Sequence, residues 1–465
     1  MTKYFYLDQH GCAKNQVDGE ILITRLFALG WQQTDSPETA QLILINTCGF
    51  IESAKKESIE AVLEARSAYP KAKILLAGCL AERYGKDFAE SFPEVDGIMG
   101  NGDLTQLDAV VADLFKDERP VVIPPQEGVC AETRSLLLNF PGSAYVKITE
   151  GCDNFCSFCA IPLIRGRLRS RSLDSVVSEI ETLLADGIFE INLIGQDLAA
   201  YNPCEIEESE ISPLALLLEK ISALSGNFWI RLLYIHPDHF PLDILPIIQK
   251  DKRILPYFDI PFQSGSDSLI LAMNRKGSAV CYQSLIATIR QQLRDSFFAD
   301  VAIRTTFMCG FPGETDENAQ ETEKFIGAIK PDWAGCFVYS KEEDTPAYAM
   351  KKQVAKKVAK KRMESLLSLQ QEITQNALAR HVGKVYDVLI EEIIEDPEGV
   401  EGLAIGRSWF QAPEVDGATV IRYDLDNPRE VEAMKSGNVV SVKITGSSDV
   451  DINGVYCSLV KSLSL

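Results

Sequence analysis

Three cysteines stand close together in Gly151-Cys152-Asp-Asn-Phe-Cys156-Ser-Phe-Cys159, a C-x3-C-x2-C spacing. Thiolates bind soft metals, and an ordinary iron–sulfur cluster takes four of them. Three would leave one iron of a cubane open to an exchangeable ligand, which makes the cluster a reaction centre as well as an electron store. Zinc sites more often combine a C-x2-C pair with a second pair or with histidines downstream, and none follows here.

A second set is scattered. Lys3–Asp8 leads into His10-Gly11-Cys12, Leu42–Asn46 into Thr47-Cys48-Gly49, and Lys73–Ala77 into Gly78-Cys79. Each is a short β-rich run that stops at a glycine–cysteine turn, with a helical stretch after it, the rhythm of βα units in a parallel sheet. The intervals of 36 and 31 residues each match one unit. In such sheets the C-terminal strand ends line one edge, where ligands bind, so Cys12, Cys48 and Cys79 should converge there.

The same rhythm returns six times from Tyr145, in Tyr145–Thr149, Glu190–Ile194, Trp229–Ile235, Tyr257–Pro261, Val301–Met308 and Gly335–Tyr339. Six repeats predict a partial, TIM-like (β/α)6 barrel with its chemistry at the C-terminal strand ends. Gln196, Asp197, Gln263 and Arg304 are candidates to hold a cofactor there, and His236 to touch substrate. Arg165, Arg167, Arg169 and Arg171 follow the cysteine motif directly, suited either to a carboxylate or to a helix entry.

The last ~85 residues change character, with five short runs separated by Gly, Pro and Asp turns: Val385–Ile390, Leu403–Ile405, Ala418–Ile421, Val439–Ile444 and Val455–Val460. They predict a small five-stranded antiparallel β-barrel. The fold class is therefore α/β with three units: a parallel α/β unit over 1–118, the barrel core over 138–375 and the small barrel over 378–465. A helix from about Val354 to Arg380 joins the last two and opens with seven basic residues between Lys351 and Arg362, read as a solvated face.

The chain has 465 residues, 46% hydrophobic and 24% charged, the composition of a globular protein. It lacks a run of 18 apolar residues and an export-type N-terminus, so a cytoplasmic location without membrane contact is expected. Twelve cysteines then point to metal or redox chemistry rather than to disulfides. The formal charge of −21 repels phosphate backbones and attracts basic partners. From Gly383 onward there are 15 acidic and 7 basic residues, a poor nucleic-acid platform and a plausible dock for a basic protein.

The triad Cys152/Cys156/Cys159 after a strand, followed by six βα repeats, resembles the radical S-adenosylmethionine (SAM) superfamily. The cysteine-bearing unit before it and the small barrel after it resemble the methylthiotransferase branch, whose C-terminal barrel is the TRAM domain. The resemblance covers nearly the whole chain. It implies two [4Fe–4S] clusters, one on Cys152, Cys156 and Cys159 and an auxiliary one on Cys12, Cys48 and Cys79. It further implies SAM as both radical source and methyl donor, and an electron donor such as flavodoxin or ferredoxin. Gly11-Cys-Ala-Lys14-Asn15-Gln-Val-Asp18, Asn46-Thr-Cys-Gly-Phe-Ile51, Arg304-Thr-Thr-Phe307, Tyr339-Ser-Lys-Glu-Glu343 and Ala412-Pro-Glu-Val-Asp-Gly417 are similar to enzymes that modify an aspartate β-carbon of a small-subunit ribosomal protein. Pro261-Phe-Gln-Ser-Gly-Ser266 with Met273-Asn-Arg275 is more similar to those that modify tRNA adenosine. The acidic small barrel favours the protein substrate, tRNA being the alternative. A cobalamin enzyme would need Asp-x-His-x-x-Gly, which Asp8-Gln-His10-Gly-Cys-Ala13 does not supply. A third alternative is a non-catalytic ribosome-assembly or RNA-binding factor with structural clusters.

Overall fold

The computed structural model describes residues 2–129, 133–206, 210–394, 399 and 401–463. Its first sheet has six parallel strands, in the order Trp31–Gln33, Lys3–Gln9, Leu42–Thr47, Lys73–Gly78, Gly97–Met99 and Val121–Val122. The central strand Leu42–Thr47 is buried along its whole length because helices cover both faces. Leu42 and Leu44 pack with helix Ala13–Ala28 on one side, and Ile43 and Ile45 face Val62 and Ala65 of helix Glu52–Ala68 on the other. Three of the six strands escaped the sequence reading, since two or three residues carry no alternation to read. The last of them, Val121–Val122, pairs with Ile98 and Met99 four residues beyond 118.

The second sheet is also parallel, with six strands in chain order: Ser143–Lys147, Glu190–Ile194, Trp229–Leu232, Ile254–Asp259, Ala302–Cys309 and Trp333–Val338. It stays open, as a partial barrel. The fourth strand starts at Ile254, three residues before its expected start at Tyr257, because Pro256 interrupts the apolar pattern. Its pairing with the third strand shifts register across the same stretch, as a residue without a backbone donor demands. Helix Lys356–Ala379 is part of this core: Leu366 is buried in it and Met363, Leu369 and Ile373 pack against it. Of its basic start, Arg362 pairs with Glu314 and Asp316, while Lys351, Lys352, Lys357, Lys360 and Lys361 are solvated.

The C-terminal unit is a closed barrel of five strands in the order Val385–Ile394, Gly402–Arg407, Thr419–Tyr423, Ile452–Lys461 and Val439–Ser447. A ring of five cannot alternate direction throughout, and one pair, Thr419–Tyr423 with Ile452–Lys461, is parallel.

This small barrel plugs the N-terminal strand ends of the central one. Glu190 is fully buried between Arg231, at 2.9 Å, and Arg407, at 2.6 Å. Trp333 Nε1 donates to the Phe410 carbonyl at 2.7 Å, and Tyr257 donates its hydroxyl to Asp416 at 2.6 Å. Ala412–Gly417, one of the stretches similar to the enzymes that modify a ribosomal protein, is partly an internal staple, its Asp416 carboxylate buried against Tyr257 and Arg304. Arg304 needs correcting. It lies near the start of Ala302–Cys309, 3.2 Å from Asp416 and 3.4 Å from Asp259, so two carboxylates engage it inside the barrel and it does not line the cavity.

Candidate functional site

At the opposite end, the C-terminal edges of both sheets meet. Cys12 is the N-cap of helix Ala13–Ala28, Cys48 directly follows strand Leu42–Thr47, and Cys79 opens helix Cys79–Ser91. Gly78 makes the last approach possible. Its φ of +90° is a left-handed conformation, and a Cβ there would sit 2.7 Å from the Thr47 carbonyl.

The second triad lies on the loop after strand Thr149–Glu150. That loop is held from outside: Ser157 N–H donates to the Met273 carbonyl at 3.0 Å, and Asn274 Nδ2 to the Phe155 carbonyl at 2.9 Å. Phe155 itself adopts a φ of +48°, strain that these bonds offset.

All six cysteines line one cavity of about 370 Å³, within the size range of small-molecule sites. Phe50, Phe158, Met308 and Phe337 supply its apolar walls. The thiols within each triad feel one another's charge. Burial pushes Cys79 and Cys159 up to about 12 and Cys152 up to about 11, and raises Cys48 as well. Burial also pushes Cys12 up, but Lys14, the Asn15 N–H and Arg165 turn its net direction downward. Buried thiols ionise when a metal supplies the missing positive charge, so this donor set fits iron–sulfur ligation.

Two of the expected cofactor contacts reach the cavity. Gln196 and Gln263 both line it, and the Oε1 of each is buried without a hydrogen-bond partner. Orphaned buried acceptors of this kind are uncommon and suit the ammonium, hydroxyl or amine donors of a nucleoside-type ligand such as SAM. Asp197 acts from behind. Its carboxylate accepts from Asn154 Nδ2 at 2.8 Å and faces His239 Nε2 at 2.6 Å, while the same Asn154 amide lies 3.4 Å from Cys152 Sγ. Burial raises Asp197, but the bonds from His239 and Asn154 bring it below the usual carboxylate range. His236 lines the cavity with Nε2 4.0 Å from Cys156 Sγ, and burial lowers it to about 3, so it stands there neutral.

The four arginines after the motif divide by burial. Arg167 is exposed beside Asp153, and Arg169 hydrogen-bonds to the carbonyls of Gly128, Arg165 and Arg167. Arg171 pairs with Glu179. Arg165 is buried, 2.6 Å from Asp18 and 3.1 Å from Glu150, and also donates to Cys79 Sγ at 3.0 Å. Lys147, 2.5 Å from Asp18 and 2.6 Å from Glu150, completes a buried four-charge network that locks the first unit onto the barrel. A second clamp closes the far side: Lys55 and Arg83 meet Glu342 at 2.8 and 2.7 Å. Cys309 is buried, Cys336 half-buried against the barrel core, Cys204, Cys281 and Cys457 exposed, and Cys130 lies outside the described residues.

Three family models match the chain: "Uncharacterized protein family UPF0004" over 4–100, "Radical SAM superfamily" over 146–326 and "TRAM domain" over 382–456. A "Ribosomal protein uS12 methylthiotransferase RimO" of Treponema denticola is 51% identical over 97% of this chain and 100% of its own. Proteins of the same name from Pseudothermotoga lettingae and Carboxydothermus hydrogenoformans are 39% and 37% identical, covering 96% and 98% of this chain and 97% and 99% of their own. The chain belongs to the RimO family.

It is a radical SAM transferase whose cofactors include SAM and a [4Fe–4S] cluster. Among solved structures, the radical SAM methyltransferase TsrM from Kitasatospora setae shares the fold, with a TM-score of 0.55 at 15% identity over 75% of this chain and 77% of that one. Within this RimO-family site, sequence reasoning missed Lys14, Asn15 and Arg275, which line the cavity, and the bracing Asn154 amide. Lys14, Asn15 and Asp18 had a signal: they are polar residues interleaved with Val17 at the start of a helix whose Val17, Ile21 and Leu22 are core.

Proposed function

We propose that this chain methylthiolates the β-carbon of an aspartate in the small-subunit ribosomal protein uS12. In this reading Cys152, Cys156 and Cys159 hold the SAM-binding [4Fe–4S] cluster, and Cys12, Cys48 and Cys79 hold an auxiliary one that carries the sulfur. One observation supports it above all: the six cysteines line a single cavity, so a substrate side chain held there would lie between the two triads. When bound, SAM and the clusters supply the hydrogen-abstracting radical, the methyl group and the sulfur.

The chain's own residues bind, orient and shield. Gln196 and Gln263 offer their free oxygens to SAM, and Asp197 fixes Asn154 beside Cys152. Arg165 donates to the Cys79 sulfur and so orients a cluster ligand, as outer hydrogen bonds do at metal sites. Phe50, Phe158, Met308 and Phe337 exclude water from the reacting centre. The first functional unit runs from the N-terminal strand through Val121–Val122, the core from 138 to the end of helix Lys356–Ala379, and the acidic C-terminal barrel that follows docks the basic substrate. Flavodoxin or ferredoxin supplies electrons, and the setting is the cytoplasm. Anaerobically reconstituted protein incubated with uS12 and, separately, with tRNA tests the reading. The mass of one methylthio group should appear on the uS12 aspartate; its appearance on tRNA alone would overturn the substrate assignment.

A further inference from the structure

The cavity contains a cation whose purpose the reaction scheme above leaves open. Lys14 lines it two residues after Cys12, and the residue is 9% exposed. Its ammonium lies 3.5 Å from the centroid of the Tyr234 ring and donates to the Gly195 carbonyl at 3.3 Å. Neither contact carries a negative charge, and among the described residues no ion pair joins Lys14 to a carboxylate.

A buried ammonium without a counter-ion is costly, and native proteins pair such charges or use them. The contrast with its neighbours is sharp. Arg165 on the same wall is met by Asp18 and Glu150, and Lys147 by the same two carboxylates. The arginine first considered for an anionic ligand is therefore already neutralised, while Lys14 has no carboxylate partner and only the Cys12 thiol, whose ionisation it favours, as a neighbouring source of negative charge. Tyr234 holds it in place: this residue adopts a φ of +68°, which turns its ring under the ammonium. A cation fixed on an aromatic face and one carbonyl retains donor capacity toward the cavity, because an ammonium has three N–H groups.

We propose that Lys14 is the receptor for the side-chain carboxylate of the substrate aspartate, and so sets the enzyme's preference for aspartate over its neutral isostere. The proposal rests on the protein-substrate reading above. In it the carboxylate accepts from Nζ, which fixes the adjacent β-carbon beside the Cys12 triad. A charge-assisted bond in a dry site is strong, and its loss leaves the buried partner unpaired, which is how polar sites reject analogues.

The test uses the full-length protein with both triads reconstituted anaerobically. A synthetic peptide spanning the uS12 target segment is titrated against it in two forms, with aspartate or with asparagine at the target position. Wild type should bind the aspartate form at least about 10-fold more tightly. Lys14→Met should abolish the preference, and Lys14→Arg should restore part of it. Iron content and the cluster spectra are recorded for each variant. A Lys14→Met protein that changes those spectra yet keeps the aspartate preference would make Lys14 a counter-ion of the Cys12 sulfur and overturn the proposal. A Lys14→Met protein that weakens SAM binding but not peptide discrimination would assign the ammonium to the SAM carboxylate and overturn it as well. Failure of the underlying reading looks different: wild type itself would then show no preference for the aspartate peptide and would modify tRNA.

Discussion

The two ends of the central barrel are built from the same six strands and treated in opposite ways. At the N-terminal end each buried charge has a partner: Glu190 lies between Arg231 and Arg407, and Asp416 accepts from Tyr257 and faces Arg304. At the C-terminal end Gln196 and Gln263 keep orphaned oxygens, Lys14 has no carboxylate, and burial raises most of the thiols. Trp409 Nε1 and Gln411 Nε2 at the plugged end also lack partners, so the contrast rests on the charges there, which are matched, against the cavity-facing Gln196, Gln263 and Lys14, which are left for something else. The first end should therefore fail by unfolding when it is altered, and the second by losing its ligands.

The largest effect expected of a single substitution is at the cofactor end. Cys156→Ala should eliminate SAM cleavage, read as 5′-deoxyadenosine by chromatography, while the midpoint of urea unfolding in the metal-free protein stays close to wild type. Glu190→Gln should do the reverse. Removing one member of a buried charge cluster costs about 3–5 kcal/mol, visible as a large drop in the urea midpoint, and cluster formation in whatever remains folded should be intact.

A pH effect of intermediate size belongs to the plugged end. His381 is stacked on Phe410 with ring centroids 4.0 Å apart, and burial lowers it to about 3. Its folded value lies below the ordinary histidine value near 6.5, so below pH ~6.5 the unfolded chain takes up a proton that the folded one refuses. Stability should thus fall with pH, by about 2 kcal/mol between pH 7 and pH 5 from this group alone. Urea melts of wild type and His381→Gln at the two pH values check the sign and the size; an equal slope in both would remove the effect from His381. The smallest effect is Gln263→Ala, expected to weaken SAM binding about 10-fold, or ~1.4 kcal/mol, without lowering stability, since its oxygen has no partner to lose.

That asymmetry also explains what could be read in the sequence. Cys152, Cys156 and Cys159 are legible because one loop carries them, and Cys12, Cys48 and Cys79 because a parallel sheet aligns its strand ends. Every strand of four residues or more in the sheets and the small barrel was visible by its apolar pattern, with shifted ends where Pro256 intervenes. Arg304 was read as a cavity residue because a strand's residues do not announce how far along it they sit. Its partner Asp416 comes from 112 residues away in another unit, a pairing no local pattern reports. Lys14 was overlooked for the opposite reason: a lysine in a helix's first turn ordinarily reaches solvent, and only the docking of the barrel buries it.

The central claim, that one cavity brings together two separately held clusters, is tested most directly by anaerobic iron and sulfide analysis after reconstitution. Wild type should bind about eight irons per chain, and the triple alanine variants of Cys12/Cys48/Cys79 and of Cys152/Cys156/Cys159 about four each, since each cubane holds four. Four irons in wild type, falling to none when Cys152, Cys156 and Cys159 are replaced and unchanged when Cys12, Cys48 and Cys79 are, would contradict it.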